Sequence, residues 1–550
     1  MPDFSAHLLS IVTFAPLATA LALLAARGVA RLLGLPILPA GAWRVAGLLG
    51  SLFTFVLSLR LFAGFDLAEP SFQFVEHAEW LPSWGIDYFV GIDGIALFLV
   101  LLTTFLMPVV LVASWNEVER SLESWVFFML LLETGMLGAF VSLNLIQFYL
   151  FWEVMLIPMY FIIGIWGGPR RVYAAVKFFL FTMFGSFPLL VAILVLAALP
   201  LAETGVLVFN LVAPPGASGP ALLDLPVPTD DPVWWKNQVW LFGAFSLAFA
   251  IKVPVVPLHT WLPDAHVEAP TAGSVVLAGV LLKMGAYGFL RFALPLFPDA
   301  AQAYTPLLLC LAVIGIVYGS LLAMVQADLK KLVAYSSVAH LGFVMLGTFS
   351  LNTNGLNGAV LQMLNHGLST GALFLLVGML YGRRHTRLLS EFGGVARPMP
   401  VYAACFGLVI MSSIGLPGLN GFVGEFLILV GTYLAHPTIA IIATSGVVLV
   451  AAYMLWMFRR VMFGPIENPE NRGLIDLGLR EKLVMVALLL PIVGIGVYPD
   501  PCLRRIEPSV VELLRLVEVR RQVSPLVEAE PEADVPIDVP PEQLEDGEAL

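Results

Sequence analysis

Eight ionisable side chains lie inside long apolar stretches of this 550-residue chain. The main candidates are Glu153, Lys252, Lys283, His340, His366 and Glu425. Glu133 and Lys177 rank below them, because each could pair with another charge near the membrane edge. An ionisable group at the centre of a membrane helix costs at least about 2.5 to 3.5 kcal/mol on insertion scales. Because Glu, Lys and His can all bind and release protons, the series predicts a proton relay.

For any one of these residues, a static ion pair or hydrogen bond between helices is an equally good explanation. Helices that only need to pack usually use Ser, Thr, Asn or Gln, which cost less to bury. Either histidine, taken alone, could be a satisfied core residue, although imidazole titrates near neutral pH. The number of ionisable groups on nearly consecutive segments therefore favours the relay for the set.

Two of the apolar stretches are interrupted beside one of these charges. Lys252 lies in AFAIKVPVVPLHTWLPDAH, and Glu425 is the second-last residue of SSIGLPGLNGFVGEF. The predicted break residues are Pro254, Pro257, Pro417 and Gly418. Proline removes a backbone donor, and unwound backbone at membrane depth is tolerated only where it lines protein or water. Broken helices in corresponding positions indicate repeats with an ion path between them.

The segments that hold these residues predict an all-α polytopic membrane protein. Hydrophobic residues make up 59% of the chain and charged residues 12%, about half the charged fraction of a soluble domain. This composition excludes a water-soluble enzyme. Since about 20 apolar residues cross a bilayer, we predict about 14 transmembrane helices, near 7–26, 43–63, 88–113, 125–143, 146–165, 173–199, 238–258, 271–294, 304–325, 332–349, 358–381, 401–432, 437–458 and 482–499.

The seventh and twelfth predicted helices are the broken ones, and their spacing of five predicts two inverted five-helix repeats, helices 4–8 and 9–13. The predicted domains are helices 1–3 (1–124), the first repeat (125–300), the second repeat (301–460), a cytoplasmic loop with helix 14 (461–500), an amphipathic segment (501–524) and an acidic tail (525–550). The amphipathic segment is expected on the outer surface or on a neighbouring subunit. The tail is rich in Pro and acidic residues, which predicts disorder.

The loops differ sharply in positive charge. Numbered from the N-terminus, the odd loops hold seventeen Lys and Arg residues and the even loops hold three. The positive-inside rule then places the odd loops in the cytoplasm and both termini on the periplasmic side.

No metal or cofactor site is expected in this chain. Its cysteines, Cys310, Cys405 and Cys502, lie far apart without a CxxC spacing. This argues against iron–sulfur, zinc and c-type haem sites carried by thiolates. Nucleotide-binding loops are also missing from the sequence.

Over about residues 85–465 the chain resembles the antiporter-like proton-translocating subunits of respiratory complex I, NADH:quinone oxidoreductase. The motifs that carry the resemblance are FWEVMLIPMYFIIGIWG around Glu153, KVPVVPLHTWLPDAHVEAPTAGSVVLAGVLLKMGAYG around Lys252 and Lys283, DLKKLVAYSSVAHLGF around His340, MLNHGLS around His366 and GLPGLNGFVGEF around Glu425. Glutamate in the twelfth helix favours the M type, the counterpart of mitochondrial subunit 4. The L and N types generally place lysine there.

The resemblance implies a role for each candidate. Glu153 and Lys252 would be an interacting pair, Lys283 the central relay, His340 and His366 connecting groups, and Glu425, in the twelfth helix, the terminal group toward the outer side. Quinone reduction would drive the protons, with NAD(H), FMN, iron–sulfur clusters and quinone held by other subunits. The implied partners are L-type and N-type subunits, small membrane subunits and lipids of a bacterial inner membrane, with no nucleic acid.

Three alternatives remain open at this point. A subunit of a multi-subunit sodium/proton antiporter shares most of these motifs, although Glu425 argues mildly against it. A membrane-bound hydrogenase would place the same pump under a different redox module. A structural spacer with unused buried charges would leave both broken helices without a purpose.

Overall fold

The computed structural model of the chain describes residues 7–34, 39–216, 219–229, 231 and 233–523. The acidic tail predicted at 525–550 lies outside these residues. The described part is mostly α-helical, as the sequence predicts. Eleven of its helices are long and apolar enough to cross a membrane, or twelve if one bent pair counts as a single span.

The helices follow one another in this order: α1 Leu8–Leu32, α2 Ala40–Ala63, α3 Gly94–Ala113, α4 Leu122–Val141, α5 Leu145–Trp166, α6 Arg171–Ala198, α7 Gln238–Lys252, α8 Trp261–Glu268, α9 Thr271–Leu296, α10 Pro298–Met324, α11 Leu329–Thr348, α12 Thr353–Arg384, α13 Pro400–Ser413, α14 Asn420–Ala435, α15 Pro437–Met462, α16 Leu479–Val497 and α17 Asp500–Val523. Two strands, β1 Gln73–Leu81 and β2 Ile86–Ile92, form an antiparallel hairpin. Short helical turns lie at Pro82–Trp84, Leu201–Thr204, Trp234–Lys236, Leu389–Glu391 and Pro469–Asn471.

The two broken segments explain why the sequence count exceeds the structural one. α7, α13 and α14 have 15, 14 and 16 residues, each shorter than the roughly 20 residues that one crossing needs. The predicted span 238–258 joins α7 with the bend after it, and the predicted span 401–432 joins α13 with most of α14. The total of fourteen and the two repeats stay predictions.

The third predicted span, 88–113, begins too early. Residues 86–92 form strand β2, and the helix starts only at Gly94. Asp93 sets this boundary, because its backbone is extended and its side chain accepts hydrogen bonds from the N–H groups of Ile95 and Ala96, which is N-capping. Hydropathy could not find the boundary, since the apolar run continues from the strand into the helix.

Helices α9, α11 and α12 form the innermost layer. All of the apolar window of α9 is buried, and 89% of the windows of α11 and α12, against 33% for α2 and α15. Lys283, His340 and His366 lie on these inner helices. The charges therefore face protein and not lipid, as intramembrane ionisable groups usually do.

The amphipathic segment predicted at 501–524 forms helix α17, which packs against α3 and α12 of this same chain. The Ser509 hydroxyl oxygen accepts a hydrogen bond of 2.9 Å from the backbone N–H of Gly94. The Arg505 guanidinium lies 3.9 Å from the centroid of the Phe62 ring. α17 therefore covers part of its own helix bundle.

The hairpin caps the beginning of α1. Glu76 Oε1 accepts hydrogen bonds from the backbone N–H groups of Leu9 at 2.8 Å and Ser10 at 3.0 Å. The Ser10 hydroxyl donates to the same carboxylate. Glu76 thereby satisfies two of the N–H groups that the first turn of a helix leaves without a partner.

We expect Glu76→Ala to lower the thermal stability of the assembled protein, because buried donors without an acceptor cost about 1 to 3 kcal/mol. Glu79→Ala is the matched control, since Glu79 is exposed on the same strand. The measurement is the unfolding temperature in detergent, which is determined from the loss of the native complex on heating. Equal unfolding temperatures for the two variants would show that the cap contributes little.

Candidate functional site

The first break lies directly after Lys252, the last residue of α7. The chain is non-helical over 253–260, which contains Pro254 and Pro257, and α8 begins at Trp261. Across this break the N–H of Val255 donates to the carbonyl of Ala250, one residue beyond the usual helical partner. The indole N–H of Trp261 donates to the carbonyl of Ile251 at 2.9 Å. A side chain thus replaces the backbone donor that the bend removes.

The second break lies between α13 and α14, over 414–419, and contains Pro417 and Gly418. Gly418 has a φ of +91°, a left-handed conformation that favours glycine. The N–H of Leu416 donates to the carbonyl of Met411, with the same five-residue spacing as at the first break. Glu425 follows in the second turn of α14.

Close backbone packing brings these elements to the inner helices. A Cβ atom at Gly424 would lie 2.4 Å from Gln362 Oε1 of α12, and one at Gly421 would lie 2.0 Å from the carbonyl oxygen of Ser412. On the other side, a Cβ atom at Gly285 of α9 would lie 2.5 Å from the carbonyl oxygen of Phe249. At Gly421 and Gly285 the obstructing atom belongs to the backbone, so only glycine permits these approaches, which set α14 against the end of α13 and the end of α7 against α9. At Gly424 a larger residue would have to displace the Gln362 side chain of α12.

Four of the six main candidates come together in the protein interior. Lys283 Nζ lies 2.6 Å from His366 Nδ1, and it also donates to the carbonyl oxygen of Ala278. His340 Nδ1 lies 2.8 Å from Glu425 Oε1. The centroids of the two imidazole rings are 5.7 Å apart. The order in space is therefore Lys283, His366, His340 and Glu425.

Polar side chains of α12 surround the place where the Lys283–His366 contact and the His340–Glu425 contact approach each other. The amide of Gln362 donates to Glu425 Oε1 at 3.0 Å. The amide of Asn365 donates a hydrogen bond of 2.7 Å to the backbone carbonyl of Asn420, the residue directly after the second break. A cavity of about 10 Å³ beside both histidines is about the size of one water molecule. This water-sized space adjoins the gap between the rings.

Glu153 and Lys252 do not form a contact ion pair. Lys252 is buried, and its Nζ has no hydrogen-bond partner among the described residues; it lies 4.6 Å from the centroid of the Trp152 ring. Glu153 Oε1 is also without a described partner. The pairing implied by the resemblance is therefore at most a longer-range electrostatic interaction in this conformation.

The two secondary candidates differ from each other. Lys177 Nζ lies 2.7 Å from Asp264 Oδ2, so it links α6 to α8 as a pairing residue. Glu133 of α4 is fully buried, and neither carboxylate oxygen has a hydrogen-bond partner among the described residues. Neither residue is hydrogen-bonded to the group of four.

Sequence reasoning missed several buried charged or titratable residues, among them Lys330, Arg291 and His266. Lys330 and Arg291 were counted as loop charges, but both are buried. Arg291 pairs with Asp93 and donates to the Tyr287 hydroxyl, and its position four residues after Tyr287 in a helical run was the available signal. His266 ends the interrupted stretch around Lys252 but was not singled out, and it is fully buried in α8. In the described part of the chain, no group of three or more His, Cys, Asp or Glu residues could hold a metal ion.

Two family models match the chain. The model described as "NADH:quinone oxidoreductase/Mrp antiporter, TM" matches residues 142–450, and the model described as "NADH-ubiquinone oxidoreductase chain 4, amino terminus" matches residues 48–139. All six main candidates lie within the first match.

Relatives and solved structures agree with these models. NADH-quinone oxidoreductase subunit M of Rhodobacter capsulatus is 47% identical over 514 residues, which cover 92% of this chain and 96% of that protein. A chain of respiratory complex I from Thermus thermophilus is 32% identical, with a TM-score of 0.78 over 92% of this chain and 99% of that one. A chain of the Mrp complex of Dietzia sp. has a TM-score of 0.77 at 19% identity, a likeness of fold alone.

Proposed function

The chain belongs to the family of M, or chain 4, membrane subunits of NADH:quinone oxidoreductase, and on this premise we propose how its buried residues move protons. It is a multi-span membrane subunit of an oxidoreductase complex. We infer that no redox reaction occurs in this chain. NAD(H), FMN, iron–sulfur clusters and quinone would belong to other subunits, and quinone reduction there would drive proton translocation here.

The line Lys283, His366, His340, Glu425 is the single observation that carries this proposal. Each member can bind and release a proton, and two of the three steps along the line are hydrogen-bonded contacts, of 2.6 and 2.8 Å. The middle step joins two imidazoles beside the water-sized cavity. A proton on Lys283 would pass to His366, then to His340, and finally to Glu425, from which it leaves toward the outer side.

Glu153 and Lys252 would control the first proton transfer, from Lys252 toward Lys283. At an effective dielectric constant near 20, increasing the separation of a Glu and a Lys from about 5 to 10 Å weakens their attraction by roughly 1.7 kcal/mol. That changes proton occupancy more than about tenfold. A modest movement of the broken helix α7 would therefore turn Lys252 from a proton holder into a donor toward Lys283. The packing of Gly285 against Phe249 puts the end of α7 next to α9.

The drive has to come from outside the chain. Moving one proton against 100 mV costs about 2.3 kcal/mol, and the relay groups themselves return to their starting state after each transfer. We propose that the odd loops face the cytoplasm of a bacterial cell, with the termini on the periplasmic side of the inner membrane. The excess of positive charge that the sequence assigns to the odd loops supports this orientation.

Replacement of Glu153 and Lys252 tests whether they act as proton carriers. We expect Lys252→Met to assemble but to lose NADH-driven pumping, because an apolar side chain cannot hold a proton. Glu153→Gln/Lys252→Met should not recover pumping. The measurements are dye quenching in inverted membrane vesicles and the amount of complex on a native gel.

A static packing pair makes the opposite prediction. Single replacements would then prevent assembly by leaving a buried charge unpaired, and double apolar replacement would restore it together with pumping. That result would remove both residues from the proposed relay.

Co-purification separates the redox-driven pump from its alternatives. We expect purification in mild detergent from native membranes to retain NADH-dehydrogenase and iron–sulfur subunits, with L-type, N-type and small membrane subunits, identified by mass spectrometry. Small membrane proteins without a redox partner would instead indicate a sodium/proton antiporter. A hydrogenase module would place the same proton path in a different redox complex.

A further inference from the structure

A separate cavity, of about 210 Å³, lies on the even-loop side of the chain, outside the line of four residues. Its lining comes from two even loops, from the end of α9 and from α17. Of the lining residues, Ser71 and Asp224 are exposed, whereas Asp93 and Arg291 are buried. The cavity therefore leads from the even-side surface to the Asp93–Arg291 ion pair.

Arg291 is fixed by hydrogen bonds and lies against aromatic rings. Its Nη2 donates to Asp93 Oδ1, and its Nε donates to the Tyr287 hydroxyl at 3.1 Å. The guanidinium carbon lies 4.7 Å from the centroid of the Phe72 ring and 5.3 Å from that of the Tyr287 ring. Asp93 itself is held by two backbone N–H groups in the first turn of α3. The start of α3 thus anchors the carboxylate, and the carboxylate anchors the guanidinium.

Helix α9 connects this ion pair with the relay. Lys283, Tyr287 and Arg291 follow one another at four-residue intervals and are all buried. Lys283 and Tyr287 belong to one regular α-helical stretch, Leu282–Gly288, where this spacing puts side chains on the same face. At about 1.5 Å per residue, the eight residues from Lys283 to Arg291 span about 12 Å. Tyr287 therefore lies between the central lysine and the cavity.

Both hydrogen-bonding sides of the Tyr287 hydroxyl are occupied by groups that do not exchange protons. Its hydrogen is donated to the backbone carbonyl oxygen of Phe140 at 2.7 Å, and its oxygen accepts the hydrogen bond from Arg291. A carbonyl is an acceptor only, and a guanidinium does not release its proton in proteins. Lys283 Nζ donates to the carbonyl of Ala278, nearer the start of α9. The polar line from Lys283 toward the even side thus ends in groups that cannot pass a proton on.

We propose that Arg291, held by Asp93 and Tyr287, is a seal against proton leak between the relay and the even-side cavity. A fixed arginine charge is a barrier to protons in membrane pores. Without it, cavity water would reach the Tyr287 hydroxyl, and protons would pass between Lys283 and the even side without using the rest of the relay. This inference rests on the proposed function, because a leak at this point matters only if Lys283 carries protons.

The passive proton permeability of the whole complex, without NADH, tests the seal. Purified complex is reconstituted into liposomes that contain a pH-sensitive dye, and valinomycin with a potassium gradient makes the inside negative. Asp93→Asn/Arg291→Ala removes both charges together, and asparagine can still cap α3. We expect passive proton influx to rise about tenfold or more, a small share of the roughly 10²- to 10⁴-fold that a positioned proton-transfer group contributes.

Two comparisons separate a leak through the relay from damaged packing. Arg505→Ala is the matched control, since this half-buried guanidinium of α17 also lies against a phenylalanine ring, that of Phe62. It should keep the wild-type influx. Adding Lys283→Ala to Asp93→Asn/Arg291→Ala should return the influx to the wild-type value, whereas a packing defect would leak with or without Lys283. A native gel reports assembly.

Arg291→Lys is a milder variant that keeps a positive charge for Asp93. An ammonium can release its proton, and it lacks the fork that joins Asp93 to Tyr287. We therefore expect an influx above that of wild type. If Asp93→Asn/Arg291→Ala fails to assemble, the influx of Arg291→Lys decides.

The outcomes distinguish the seal from the proposed function. Wild-type influx in the assembled double variant, or in Arg291→Lys where that variant decides, would overturn the seal. A raised influx that persists after Lys283→Ala would also overturn it, since the protons would then pass elsewhere. Both results leave the relay standing if Lys283→Ala alone abolishes NADH-driven pumping. Normal pumping by Lys283→Ala would instead overturn the relay itself.

Discussion

Replacing Lys283 with alanine is expected to abolish NADH-driven proton pumping in a complex that still assembles. Lys283 is fully buried, and its Nζ lies 2.6 Å from His366 Nδ1. Alanine removes the amine that links α9 to His366 of α12. Loss of a positioned proton-transfer group slows the transfer by about 10²- to 10⁴-fold, so the remaining flux would not exceed the leak. The measurement is dye quenching in inverted vesicles, with NADH oxidation recorded in parallel.

Two comparison variants show whether lost packing accounts for the effect. Lys283→Arg keeps the charge and much of the volume but cannot release a proton, so it should also fail to pump. Lys331→Ala removes a half-buried lysine outside the relay and should behave as wild type. A native gel and NADH oxidation with an artificial acceptor report assembly. Normal pumping by an assembled Lys283→Ala complex would contradict the proposed relay.

Glu425→Gln is expected to stop proton release at the other end of the line. Glutamine is nearly the same size as glutamate, and its carbonyl oxygen can still accept the 3.0 Å hydrogen bond from Gln362. Glutamine cannot ionise, so His340 would lose the carboxylate, 2.8 Å away, that takes up its proton. We expect pumping to fall by about 100-fold or more for the same reason as at Lys283.

The size match makes this substitution a stringent test, because the packing of α14 against α12 should persist. Glu425→Asp retains an ionisable group and should keep part of the pumping, limited by its shorter reach. Glu467→Gln is the control for loss of one negative charge, since Glu467 is exposed. If Glu425→Gln pumped as fast as the control, Glu425 would be a structural residue at the second break.

The positions of the breaks follow from the chain itself. Proline lacks a backbone donor, so the non-helical stretches at 253–260 and 414–419 lie where Pro254 and Pro417 predict them. The β1–β2 hairpin could not be predicted in this way, because a short apolar run is compatible with a strand or a helix. Its end depends on the capping side chain of Asp93. His266 and Lys330 were also missed, since proximity to a loop says nothing about the depth at which a side chain is buried.

By itself the sequence determined that this is a helical membrane protein with costly charges on successive apolar segments, because hydropathy and the price of burying a charge are properties of each segment alone. Only the tertiary structure decided which charges meet. Lys283 and His366 are 83 residues apart in sequence, and His340 and Glu425 are 85 apart. Their contacts depend on how each helix is rotated and on approaches that Gly421, Gly424 and Gly285 permit. The same packing keeps Lys252 and Glu153 out of contact, and no spacing along the chain encodes that separation.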